Sequence, residues 1–411
     1  MTSPPRDRSA TPRDLRNAAV ATGVVFAVSG AVFATWVSRL PAVRDRLDAG
    51  TAELGLALLC IGLGSLFTMP FTGKLCARFG SRTVVLATAL PCCAMLALLA
   101  HVPSVVLLAI ELFLWGAFYG AWDVAMNVHG SAVELRAGRA WMPRYHAAWS
   151  IGGITGAGVG VLAAGISVPV DVHFSGMAAL LAIIVLVASR RFVPDRVLDD
   201  RKGRDPGPSK APRNRLLTKS LVAVGLLTAC ATCIEGAAAD WIALYLTDDR
   251  GAEPSAASGG YAVFAVAMAA SRLVGTNVIE RLGRARAVRS AGMLTFAGIV
   301  TTLAAPGIVG SYVGVLLWGA GVAVVFPAAM SRGGETPGRP ADAIAAVSTI
   351  GYGGFLLGPP MVGILADHIG LGAALFSLLG LAAGIIGLSE AAAPRRSNVA
   401  ATVGPTSDRA G

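Results

Sequence analysis

The chain has 411 residues, of which 55% are hydrophobic and only 14% charged, with a mean hydropathy of +0.66. Soluble domains carry about a quarter charged residues because their surface must meet water, so this composition excludes a water-facing globule and points to a chain embedded in lipid. The net charge of +10 has no soluble basic domain to sit on, which excludes a nucleic-acid partner and leaves the charge to be read as topology.

In chain order, residues 1–17 form a polar tail with Arg6, Arg8, Arg13 and Arg16. The apolar run after it is too long for a signal-peptide core and reads as a retained first span. A crossing helix needs roughly 20 mostly apolar residues. That ruler predicts spans at 18–39, 53–72, 83–101, 104–130, 144–166 and 173–190. Residues 191–218, rich in Arg, Asp, Pro and Gly, read as a linker. Six more spans follow at 219–247, 256–276, 287–305, 309–330, 342–366 and 371–389, within a second half ending at 391, and 392–411 is a polar tail.

With a cytoplasmic N-terminus, 29 of the 34 Lys and Arg fall on the cytoplasmic side. Only Arg39, Arg44, Arg46 and Arg250 fall outside, and Arg272 lies within a span. The positive-inside rule thus predicts an inner (plasma) membrane protein with both termini and the linker cytoplasmic. Arg39 reads as an interfacial anchor. The six cysteines lie in or beside apolar stretches, and Cys230 and Cys233 read as small apolar residues, since no second pair completes a zinc site.

The halves echo each other. Ala77 in Gly73-Lys-Leu-Cys-Ala-Arg-Phe-Gly-Ser-Arg82 corresponds to Glu280 in Glu280-Arg-Leu-Gly-Arg284 at a shift of 203. Gly152 and Gly156 match Gly354 and Gly358 at 202, and Trp36 matches Trp241 at 205. An even number of spans per half makes the repeat parallel, about an axis along the membrane normal. The chain therefore resembles the major facilitator superfamily. Its loop signature G-x-x-x-D-R-x-G-R-[RK] is met by Gly73, Arg78, Gly80 and Arg82, with Ala77 at the aspartate position. The resemblance implies an all-α membrane protein of twelve transmembrane helices in two six-helix halves (the major facilitator fold). It also implies a cytoplasmic gate at Glu280, Arg281, Arg284, Arg78 and Arg82. Because Ala77 bears no charge, Glu280 with Arg281 or Arg284 is expected to carry more of that latch.

Ionisable groups at bilayer depth mark sites by default. The candidates are Glu111 and Asp123 in span 4, Glu235 and Asp240 in span 7, Arg272 in span 8 and His146 at the start of span 5. Asp123 and Asn127, four apart, share a helix face. The run Gly120-Ala-Trp-Asp-Val-Ala-Met-Asn127 is similar to the E-x-A-A-N stretch of fucose permease-type proton–sugar symporters. That resemblance gives Asp123 the proton-coupling role. The longer stretch through Met142-Pro-Arg-Tyr-His-Ala-Ala-Trp-Ser-Ile-Gly-Gly153 resembles a MosC-like bacterial subgroup. Glu235 and Asp240 are five apart, about 140° around a helix, so one is expected to face a cavity while the other pairs with a neighbour. Glu235, nearer mid-membrane, is favoured for proton or substrate. Substrate contacts are expected from Trp36, Trp115, Tyr119, Asn127, His146, Asp240 and Trp241, because rings beside a carboxylate suit a sugar or polyol.

No G-x-S-x-G, H-E-x-x-H or phosphate loop is present, which argues against an enzyme and against direct ATP drive. No cofactor or metal is expected. The partners are a small-molecule substrate, protons and the bilayer, with the monomer as the working unit. Proton-coupled efflux of a drug or metabolite is the alternative to symport, and Ala157 after Gly156, where antiporters of the superfamily usually carry proline, weighs against it.

Overall fold

The computed structural model describes residues 11–49, 51–194, 218–252 and 254–394. Most of the predicted linker and both outer tails therefore lie outside the described residues. Among the described residues, twelve helices are long and apolar enough to cross a membrane. Spans 1 to 6 are Pro12–Ser38, Leu56–Phe79, Ser81–Leu98, Val105–Ala137, Met142–Gly165 and Val170–Ser189. Spans 7 to 12 are Lys219–Asp248, Gly259–Leu282, Arg284–Ala304, Gly307–Gly334, Pro340–Ile369 and Leu371–Ala392. A short helix, Leu40–Leu47, joins the first two. Large apolar side chains such as Leu56, Phe67, Val161, Ile183 and Val266 lie outward, a surface that only lipid can cover.

Local chemistry sets the ends. Thr11 and Asp14 form a reciprocal capping box with Pro12 at the first helical position, so span 1 starts inside the predicted tail. Ser104 and Thr218 cap spans 4 and 7. The signature stretch 73–82 is mostly not a loop: span 2 stays helical to Phe79 and the chain reverses through Gly80 alone. Gly80 (φ 84°, ψ 147°) and Gly283 (φ 80°, ψ 150°) share a conformation essentially closed to residues with a Cβ. The duplicated glycines thus make the same one-residue turn in each half.

The packing repeats as well. A Cβ on Gly152 or Gly156 would strike the backbone of Ala27 or Ala31 in span 1, and one on Gly354 or Gly358 that of Ala229 or Cys233 in span 7. Both the glycines and their partners recur at a shift of 202. Absent side chains let these helices touch along their backbones. Cys233 is thereby explained as a small residue against Gly358, while Cys230 lies by Gly384.

The halves meet through spans 2 and 11, 5 and 8, and 4 and 5 with 10. The named contacts run from mid-depth, where Gly62 meets Leu356, to the end carrying the basic loops. There Gly73 lies against Ala341 and Asp342, and Thr276 donates to the Ala140 carbonyl at 2.6 Å. Spans 1 and 7 are not among the closely packed pairs of described elements. This conformation is closed at the basic end.

Candidate functional site

Two acids lie at the join of the halves, one buried and one half-buried. In span 4, Asp123 is 8% exposed and Asn127 fully buried. One helical turn brings the Asn127 amide to the Asp123 carbonyl (2.9 Å) and to Asp123 Oδ1 (3.3 Å). Asn127 Oδ1 in turn meets His146 Nε2 of span 5 at 3.3 Å. His146 sits edge-on between Phe26 of span 1 and Phe326 of span 10, 5.2 Å from each ring. Asp123 Oδ2 is buried without a hydrogen-bond partner. Such an orphan is costly in an apolar interior, and a proton or a solute hydroxyl would satisfy it.

In the other half, Glu235 Oε2 lies 3.5 Å from Arg272 NH2, with side-chain exposures of 22% and 4%. Arg272 also donates from Nε to the Ala323 carbonyl (3.2 Å) and from NH1 to Ser150 Oγ (2.9 Å). Ala323 lies where span 10 breaks between Gly307–Val322 and Val325–Gly334, so the guanidinium satisfies a carbonyl freed by the break. The Ser150 hydroxyl reaches back to the His146 carbonyl at 3.2 Å. A polar line thus runs from Asp123 through Asn127, His146, Ser150 and Arg272 to Glu235, crossing between the halves.

Tyr119 joins the N-terminal side of this line. Its hydroxyl accepts from Trp149 Nε1 (3.2 Å) and donates to the Ser29 carbonyl (3.4 Å). From the opposite half, half-buried Tyr352 of span 11 packs against the N-terminal core. Sequence reading missed Tyr352, Trp149 and Ser150, because only the packing of one helix on another gives them a role.

Other expected residues are placed differently. Trp36 and Trp115 are 0% exposed. Their rings are 6.4 Å apart, Trp36 lies 6.2 Å from Phe174, and Trp115 Nε1 donates to the Cys92 carbonyl at 3.0 Å. Rings so covered have no face left for a solute, and these two belong to the N-terminal core. Glu235, favoured for the cavity, is the acid that pairs, whereas Asp240 is accessible. Trp241 packs against Gly363 of span 11. Arg39 is buried, 6% exposed, and ties span 1 to the turn before span 6 through the Val168 carbonyl at 2.8 Å. At the basic end, Glu280 pairs with neither Arg281 nor Arg284 but with Arg139 of the other half, at 3.6 Å. Arg284 instead pairs with Glu335 at 2.8 Å. Arg78, Arg82 and Arg281 are exposed.

The Major Facilitator Superfamily family model matches residues 18–359. An uncharacterised transporter, y4wD, of Sinorhizobium fredii is 35% identical over 364 residues, 86% of this chain and 95% of that one. An uncharacterised MFS-type transporter of Yersinia pestis is 34% identical over 349 residues (85% and 88%), and the membrane protein MosC of Rhizobium meliloti 31% over 367 (88% and 86%). Among solved structures, the Escherichia coli fucose:proton symporter FucP, also solved in the outward conformation, superposes with TM-score 0.74 at 15% identity, covering 94% of this chain and 100% of that one. The human organic anion transporter MFSD10 superposes with TM-score 0.76 at 17% identity, covering 92% and 100%.

Proposed function

We propose, for a chain that belongs to the major facilitator superfamily, that it couples the entry of protons to the uptake of a small neutral hydroxylated solute, a sugar or polyol. Membership makes the chain a multi-pass membrane transporter and not an enzyme. The observation that carries the finer reading is the carboxylate of Asp123. It is buried where the halves meet, bonded through one oxygen to Asn127 and orphaned at the other.

An acid so placed is costly as an anion and satisfied as an acid or by a solute hydroxyl. Asp123 takes a proton together with the solute and releases it when the cavity changes sides. Tyr119, Asn127 and His146 frame the solute from one half. Glu235, with its Arg272 charge balanced, presents an acceptor from the other, and Asp240 and Trp241 lie nearer the open end. Among the described residues, pairing within the C-terminal half leaves no free cation at mid-depth, which suits a neutral solute. The basic end is cytoplasmic by the distribution of Lys and Arg, so this conformation is the outward-facing one and both termini lie in the cytoplasm. The protein works in the plasma membrane as a monomer.

Driving force suffices. One charge falling through ~100 mV gives about 2.3 kcal/mol and one pH unit about 1.4, enough for roughly 2–3 decades of accumulation of a neutral solute. The test is transport in proteoliposomes against a panel of labelled sugars and inositols. Asp123→Asn is expected to keep solute exchange and lose accumulation driven by a pH gradient. Unchanged accumulation in that variant removes Asp123 from the proton path, and a lipophilic cation as the one transported solute turns the reading to efflux.

A further inference from the structure

At the end opposite the basic loops, span 1 closes against the turn that enters span 6. Arg39 ends span 1 and donates from NH2 to the Val168 carbonyl at 2.8 Å. The residue is 6% exposed, and its NH1 is buried without a hydrogen-bond partner. Among the described residues, no carboxylate pairs with it. His173, in the first turn of span 6, is also 6% exposed, and both of its ring nitrogens are buried without a partner. Close packing draws the two residues to one place. A Cβ on Gly160 of span 5 would strike the Ser38 side chain and lie 3.5 Å from His173 Cε1, so the neighbour of Arg39 and the His173 ring share a contact point. Ser38 offers no donor there, because its hydroxyl goes to the Thr35 carbonyl at 2.8 Å.

A buried charge is tolerated when it is paired, and leaving one uncompensated is expensive. The Val168 carbonyl satisfies one edge of the Arg39 guanidinium but cannot balance its unit charge. The cation at the matching end of the other half is treated differently. Arg250 is half-buried, donates to the Leu303 carbonyl at 2.6 Å and lies 5.4 Å over the Tyr245 ring. Nearby acids do not serve Arg39. Asp45 holds Arg44 at 2.7 Å. Asp171 is exposed and, two residues before His173, does not share its side of the helix. A water would complete the hydrogen bonds and leave the charge unbalanced. An anion does both, and the first turn of span 6 adds the positive end of the helix dipole. Neutral imidazole supplies one N–H, so the donors are few and suit a small ion. The entering turn reaches the surface at exposed Ser167 and Pro169.

We propose that Arg39 and His173 bind a small monovalent anion, chloride, where span 1 meets span 6. The ion balances the buried guanidinium and ties the two spans together at this end. The site is apart from the mid-depth acids, and the proposal depends neither on the solute nor on proton coupling.

The test is thermal unfolding of the full chain in nanodiscs of zwitterionic lipid, in sodium chloride against sodium gluconate at equal ionic strength. A ligand that binds only the folded chain stabilises it by mass action. The midpoint is expected to rise by about 2 °C for each tenfold increase in chloride above its dissociation constant, and to stay flat in gluconate. Arg39→Gln keeps a donor for the Val168 carbonyl and is expected to lose the chloride dependence. His173→Phe, altered from span 6, is expected to weaken it and serves where Arg39→Gln fails to fold. Bromide is expected to replace chloride, and its anomalous scattering in crystals to place the ion between residues 39 and 173. Equal midpoints in the two salts would mean that water alone meets these groups, which overturns the proposal. Chloride dependence that survives both substitutions puts the ion elsewhere and does the same. So does stabilisation that appears only when anionic lipid is added, which would assign Arg39 to a headgroup phosphate.

Discussion

The two halves share their packing and differ in their chemistry. Gly152 and Gly156 touch Ala27 and Ala31 in one half as Gly354 and Gly358 touch Ala229 and Cys233 in the other. Yet the acid of the first half, Asp123, has one carboxylate oxygen without a partner, while that of the second, Glu235, is held by an arginine bound to two further groups. Backbone-to-backbone contact between helices admits few solutions, so duplicated halves keep the same small residues at the same offsets. A polar insertion has no such constraint. One half can hold an acid free to change its protonation while its twin holds a fixed charge pair. The division suits a carrier, which needs one group that titrates and a rigid frame to report it.

The largest effect is expected from breaking the fixed pair. Arg272→Met leaves the half-buried Glu235 without its cation and the Ala323 carbonyl without a donor, a loss of about 1–3 kcal/mol for polar groups left unsatisfied. Thermal unfolding in detergent reads it, and Glu235→Gln added to Arg272→Met is expected to recover most of the loss. A single variant as stable as wild type would erase the contrast between the halves. Neutralising the acid of the first half has the opposite expectation. Asp123→Asn removes no cation's partner and keeps a group able to bond Asn127, so its stability is expected within about 1 kcal/mol of wild type. Loss of stability comparable to that of Arg272→Met would make Asp123 a structural acid, not a titrating one.

Much of this architecture was legible in the chain. Composition, the spacing of apolar runs and the distribution of Lys and Arg gave the membrane class and the twelve spans. The glycines at constant offset gave the halves. The pair Asp123 and Asn127 was legible because four residues bring two side chains to one helix face. What lies between helices was not. Ser150 serves Arg272 from another half, and Tyr352 meets the N-terminal core only because span 11 packs against spans 2 and 4. Nothing along the chain records which helix faces which. Trp36 and Trp115 misled for the same reason: an aromatic on a cavity-lining helix can turn to the core, and these two do. The break in span 10, at Ala323–Val324, does have a signal, Pro327, whose missing N–H would have bonded the Ala323 carbonyl, but a proline inside a crossing helix does not say which side chain takes up the freed carbonyl.

The smallest effect belongs to the signature loops, and it tests whether exposed charges or close helix packing close the basic end. Glu280 and Arg139 are both substantially exposed and 3.6 Å apart. Exposed pairs contribute about 0–1 kcal/mol, which changes an equilibrium by at most roughly fivefold and fades as salt is raised. Glu280→Ala is therefore expected to lower the initial rate of solute exchange by no more than that factor, with the difference vanishing in high salt. Ala77 is exposed near the end of span 2, where an aspartate would remain hydrated and leave the helix intact, so Ala77→Asp is expected to be tolerated. Rates measured at low and high ionic strength in the same proteoliposomes decide the matter. A fall well beyond fivefold for Glu280→Ala that persists in high salt would show that this pair is not screened. The closure of the basic end would then rest on the Arg139–Glu280 contact, and not on close helix packing such as that of Gly73 against Ala341 and Asp342.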